Sequence, residues 1–245
     1  TSNAVRAQAD TTLASLLSPQ TFAADMTLTA DSAQQLENWF GPVLPPLPGF
    51  RLTGELVRDH DQWSATGLEG RIGSTQVNGS IEVLSGERPL VEVDLDAGRI
   101  HLAQLIERTT PTESEEAENG SFLAPLRTFD GQLSLNANTL VLPNGLALND
   151  LTLAANLEAG QLEAEPVRFR LGDGSLSASL TLDAAQPPAS GHLDIDVDNI
   201  ALSRLGDTFT PLEDRLGRAS GELHLEIDEA LPSDRRDEWR WPYLG

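Results

Sequence analysis

The stretch Gly70–Gly86, "GRIGSTQVNGSIEVLSG", decides the fold. Apolar residues fall at Val77, Ile81 and Val83, with Gly79 filling the slot between them, and polar Gln76, Asn78, Ser80 and Glu82 alternate with them. A period of two describes a β-strand with one wet face and one dry face. Further on, "FRLGDGSLSASLTLDAA" (Phe169–Ala185) repeats the phrase. Placing Ile72 on Leu171, Gly73 on Gly172, Val77 on Leu176, Ile81 on Leu180 and Val83 on Leu182 gives one offset, 171 − 72 = 99. After a one-residue slip at the turn, Val93, Leu95, Ile100, Leu102 and Leu105 fall on Leu193, Ile195, Ile200, Leu202 and Leu205, an offset of 100. The chain thus repeats a unit of strand, turn, strand, turn, strand and short helical knuckle.

The same grammar extends outward. "LVEVDLDA" carries Val91, Val93 and Leu95 against Glu92, Asp94 and Asp96. "GQLSLNA" supplies Leu133 and Leu135, and the run from Leu151 to Leu171 supplies Leu151, Leu153, Ala155, Leu157, Leu162, Val167, Phe169 and Leu171. "GHLDIDVDNIAL" gives Leu193, Ile195, Val197, Ile200 and Leu202, and "GELHLEID" gives Leu223, Leu225 and Ile227. Short turns such as Glu158–Gln161, Gly172–Gly174, Leu84–Pro89 and Asp183–Pro188 favour hairpins, hence an antiparallel meander. Helical spacing is confined to short runs at Thr11–Ser18, Asp31–Phe40, His101–Glu107 and Leu202–Phe209. The fold class is all-β with a few short helices. "DMTLTADSAQQL" (Asp25–Leu36) reads as the tail of an earlier copy, and Ala219–Ile227 as the start of a later one. The expected organisation is a first β-repeat over 1–106, an acidic flexible loop over 107–126, and a second repeat with the start of a further one over 127–245.

Composition excludes several functions. Of the 245 residues 38 are acidic and 16 basic, a net charge of −22, and every basic residue is Arg. Such a surface repels nucleic acid and anionic membranes. The absence of Cys excludes disulfide frameworks and thiolate chemistry. No stretch approaches the ~20 apolar residues of a membrane span, and the polar start "TSNAVRAQAD" carries no signal peptide. This predicts an excised internal segment whose anchor lies elsewhere.

Catalytic and metal sites fare badly. The histidines, at positions 60, 101, 192 and 224, lack the spacing of a metal centre, and His101, His192 and His224 read as wet-face residues. "DIDVDN" (Asp194–Asn199) hints at a calcium loop, but the required Gly and Glu are replaced by Asn199 and Leu205. "GLEGRIG" lacks the Lys and following helix of a phosphate loop, so its glycines serve turns and bulges. "WRWPYLG" (Trp239–Gly245) reads as a frayed tail. No catalytic residue, metal or cofactor is expected, and the protein is read as non-enzymatic.

Each repeat carries one apolar face, and no long amphipathic helix is available to cover it. The sheet must fold into a sandwich, close into a barrel, or curl into a trough that something else fills. The run "LPPLPGFRLTGELVRDHDQWSATGLEGRIGSTQVNGSIEVLSGERPLVEVDLDAGRIHLAQL", with its Pro-rich entry, Gly-rich hairpin and "SGERP", resembles the AsmA family of Gram-negative envelope proteins. The later "FDGQLSLNANTLVLPNGLALNDLTLAANLEAGQLEAEPVRFRLGDGSLSASLTLDA" is similar to it too. The resemblance implies an elongated, twisted antiparallel meander curved into an open groove. It implies a periplasmic segment of a protein anchored in the inner membrane outside this fragment, carrying phospholipid acyl chains toward the outer membrane and serving outer-membrane biogenesis. The expected partners are acyl chains and neighbouring repeats of the longer protein. The candidate groove lining is Val77, Ile81, Val83, Val93, Leu95, Leu133, Leu135, Leu153, Leu157, Leu176, Leu180, Leu182, Leu193 and Ile195. The alternative is a structural or protein-interaction module for outer-membrane protein assembly, with a sealed core and no lipid.

Overall fold

The computed structural model describes residues 6–10, 21–32, 48–106, 123–186, 188–201 and 217–228. They form β1 (Arg6–Asp10), β2 (Thr21–Ser32), β3 (Pro48–Asp59), β4 (Gln62–Ile72), β5 (Thr75–Leu84), β6 (Leu90–His101), β7 (Asp130–Val141), β8 (Ala147–Glu158), β9 (Gln161–Leu171), β10 (Gly174–Asp183), β11 (Ser190–Ala201) and β12 (Arg218–Asp228). The helical pieces among the described residues are α1 (Leu102–Ile106), where the His101–Glu107 run predicts one, and a 3-10 turn at Ala124–Arg127. Asp31 and Ser32 belong to β2 rather than to a helix. The helical runs at Thr11–Ser18 and Leu202–Phe209, residues 33–40, the acidic stretch 107–122 and the tail 239–245 lie outside the described residues.

The strands form one sheet in chain order, with β1 and β12 as its two edges, so the sheet is open rather than closed into a barrel. At about 4.8 Å per strand it extends on the order of 50 Å in the pairing direction. No second layer of strands packs on either face among the described residues. The meander is antiparallel at every junction but one. β6 and β7 run parallel, from Leu90 opposite Asp130 to His101 opposite Val141. A parallel pair needs a crossover that returns the chain to the starting end of the strand, and residues 102–129 supply it. Alternation alone does not reveal this, because a strand shows the same period whichever way its neighbour runs.

Strand starts repeat as the sequence phrases do: Pro48, Gln62 and Thr75 recur 99 residues on as Ala147, Gln161 and Gly174, and Leu90 recurs 100 residues on as Ser190. Turn geometry repeats with them. His60 and Ala159 both lie in the left-handed region (φ 54° and 51°), as do Gly73 and Gly172 (59° and 61°).

Bulges keep the apolar residues on one face. Register shifts fall between Ala65 and Leu68, Asn149 and Thr152, and Val197 and Ile200. Each contains a left-handed residue: Gly67 (φ 57°), Asp150 (52°) and Asn199 (56°). One extra residue would turn all following side chains to the wrong face. The sequence shifts its apolar phase at the same places, from Ala65 to Leu68, Leu148 to Leu151, and Val197 to Ile200.

Candidate functional site: an open apolar face

Residues opposite each other in neighbouring strands point to the same face, so the registers trace rows across the sheet. One marginal row runs Phe22, Arg58, Trp63, Val83, Val91, Gly131, Leu157, Leu162, Leu182, Gly191, Ile227. The next runs Ala24, Leu56, Ala65, Ile81, Val93, Leu133, Ala155, Ala164, Leu180, Leu193, Leu225. A third runs Leu68, Gly79, Leu95, Leu135, Leu153, Val167, Ala178, Ile195, Leu223. The fourth runs Leu28, Leu52, Gly70, Val77, Ala97, Ala137, Leu151, and resumes as Phe169, Leu176, Val197. All fourteen residues singled out in the sequence fall in these four rows, on one face.

Burial differs between the rows. On the fourth row and the strand ends beyond it, Val77, Ala97, Ala137 and Leu151 form one buried cluster. Ala30 with Phe50, and Leu148 with Leu171 and Ile200, form two others. On the opposite margin Leu182 packs with Leu123, Ala184 and Ala189. Between these margins the large side chains of the second and third rows, Ile81, Val93, Leu133, Leu95, Leu135 and Ile195 among them, are only half-buried. Leu68 is more deeply buried, at 2% exposure, and Leu223 and Leu225 on β12 are exposed. The margins are covered in places by the protein's own buried clusters, and among the described residues a band of apolar side chains between them stays open.

The two ends of the marginal row are finished differently. At β2–β4 the rings of Phe22 and Trp63 meet edge to face at 5.8 Å, and Arg58 Cζ lies 4.7 Å from the Trp63 ring centre. That corner was missed in the sequence because an Arg breaks the apolar alternation, although Arg58 and Trp63 stand symmetrically about the His60–Asp61 turn. Towards β10 the crossover returns: Leu123 and Leu126 pack on the margin, and Arg127 Nε donates to the Ala184 carbonyl. Leu123 and Leu126, at the end of the acidic segment, are thus packed against the sheet margin. "SGERP" explains how the crossover is tied down. Arg88 donates through Nε to Asp130 (2.6 Å), through Nη1 to the Arg127 carbonyl (2.9 Å) and through Nη2 to the Phe129 carbonyl (3.1 Å). Asp130 also accepts from the Ala159 amide at 2.7 Å. These bonds, that of Ala159 first and then that of Arg88, hold the Asp130 carboxyl below the ordinary value of 3.8.

The other face is polar and acidic. Glu82 stands opposite Glu92, and Asp94 opposite Ser80. Asp96 accepts from Asn78 (3.4 Å) on one side and Asn136 (3.2 Å) on the other. Asp194, Asp196 and Asp198 are exposed on this face beside β12, which accounts for "DIDVDN" as a wet strand face. A surface hollow of about 880 Å³ lies mostly over these polar rows, lined by Glu82, Glu92, Asp94, Gln132 and Glu163 among others. Among the described residues the apolar band is an open face of the sheet and not an enclosed pocket. Among the described residues no cluster of His, Asp and Glu is arranged to hold a metal ion, and no helix is long and apolar enough to cross a membrane.

The described residues form a single-layer sheet, apolar on one face and acidic on the other, an open β-scaffold. The AsmA family model matches residues 62–227, from β4 into β12, and the chain belongs to the AsmA family. It is 24% identical over 229 residues to "AsmA family protein YhjG" of Escherichia coli (strain K12), covering 82% of this chain and 33% of that protein. The chain thus spans about a third of the length of this relative. No solved structure matches it.

Proposed function

We propose that this segment is a non-enzymatic, periplasmic piece of a lipid-carrying AsmA-family protein, whose apolar face holds phospholipid acyl chains on their way between the inner and outer membranes. One observation carries the reading: two apolar rows cross the sheet with no second layer of strands over them among the described residues. A soluble chain seldom leaves so wide an apolar surface to water without a ligand for it. An acyl chain leaving water gains about 0.8 kcal/mol per buried CH₂, on the order of 10 kcal/mol for a dozen, while its headgroup stays wet. The half-buried members of the fourteen, centred on Val93, Leu133, Leu180 and Leu193, form the floor of this open face, and membership of the family supports an envelope role.

A second reading, a protein-interaction module, is favoured by the free edge of β12, where Leu223, Leu225 and Ile227 are 49%, 43% and 37% exposed. Native mass spectrometry of the purified chain separates the two. Co-purifying phospholipid is expected, and it should be lost in Leu133→Glu and Leu180→Glu, which place carboxylates on the open floor, but kept in Glu92→Gln on the polar face. A lipid-free protein that also fails to take up a fluorescent fatty acid would overturn the lipid reading.

A further inference from the structure

β12 is held by less than any other strand from β2 onward. Among the described residues it has one neighbour, β11, and its apolar-face residues Leu223, Leu225 and Ile227 are the exposed end of the apolar rows, so burial by these residues contributes little to its docking. On the polar face the register sets His192 opposite Glu226, Asp194 opposite His224, and Asp196 opposite Glu222. His224 Nδ1 meets Asp194 Oδ1, and its Nε2 lies 3.9 Å from Glu222 Oε2. Glu222 and Glu226 flank His224 on its own strand, on the same face. Further along, Asp198 accepts from Ser220 Oγ at 3.4 Å. Behind β11, β10 sets the uncharged Ser177, Ser179 and Thr181 opposite Asp196, Asp194 and His192 on this face, and its carboxylate, Asp183, stands at the far end opposite Ser190.

We propose that β12 is a pH-gated edge strand: protonation of His224, encircled by Asp194, Glu222 and Glu226, locks it onto β11, and loss of that proton loosens it. With His224 neutral, Asp196 and Glu222 still oppose each other as like charges across the pair, which destabilises it, and the cross-strand ion pair of His224 with Asp194 is gone. The hydrogen bond to Asp194, then its charge, raises His224 above the ordinary 6.5. A raised folded-state value means that the lock is complete below 6.5 and is lost as the pH climbs through that higher value. Loosening β12 frees the edge of β11, with Leu193 and Ile195, for another strand.

Amide hydrogen exchange of the whole chain tests this at about pH 5 and about pH 8, either side of the imidazole range, after correction for intrinsic exchange. Protection over residues 218–228 should fall about two- to fivefold at the higher pH relative to β10, the modest size reflecting an exposed pair. His224→Gln should show the low protection at both pH values, and His224→Arg should keep the high protection at both. Protection that does not change with pH, a His224→Gln variant that still steps like the wild type, or a step abolished by His192→Gln in its place, would overturn the proposal.

Discussion

At the residue scale, glycines mark where backbones come too close for a side chain. Gly79 sits at φ 152°, and a Cβ there would stand 2.0 Å from the Asp94 carbonyl oxygen of the neighbouring strand. Gly79→Ala should therefore lower stability by about 2–4 kcal/mol, combining backbone strain with overpacking, read as a lower urea midpoint. Gly145 is the control. It too has positive φ (84°), but nothing lies within 4 Å of its would-be Cβ, so Gly145→Ala should cost only the backbone term, about 1–2 kcal/mol. In the sequence Gly79 looks like a gap in an alternating pattern. Only the register reveals that the gap is filled by Asp94.

At the scale of elements, the parallel β6–β7 junction depends on a few polar groups at the end of the crossover. Asp130 carries a depressed carboxyl, so its contribution is present above the ordinary 3.8 and is lost as the pH falls through its lower folded-state value. The Ala159 amide, which donates to it, should report this by NMR with a titration midpoint below 3.8, and Arg88→Ala should move that midpoint upward. An unmoved midpoint would show that Arg88 does not act on Asp130. The strands and their wet and dry faces were legible in the sequence, because side-chain alternation is a local signal. Three of the register shifts coincide with slips of apolar phase, at Leu68, Leu151 and Ile200. The parallel junction and the Arg88 clamp were not legible, since strand direction and long-range ion pairs leave no trace in periodicity. All fourteen candidate residues share a face because alternation fixes facing; the alternation did not separate sealed Val77 and Leu157 from half-open Leu133, because that depends on distance from the margins.

At the scale of the whole molecule, charge and shape act together. A net charge of −22 is spread over a thin sheet, with carboxylates such as Glu82 and Glu92 opposed on one face, and this self-repulsion is screened by salt. The thermal midpoint should rise as NaCl goes from about 10 mM to about 0.5 M, where the screening length falls to a few ångströms. A midpoint that fell would mean that attractive ion pairs such as Arg88–Asp130 outweigh the repulsion. The same openness makes an apolar band available without any closing motion.

The parallel seam also divides the molecule. β1–β6 and β7–β12 are joined in the sheet by backbone pairing along β6 and β7. Severing the peptide chain between Ile106 and Leu123 would break no rung of the described sheet, so two separately made polypeptides could zip together along that seam and rebuild the full array.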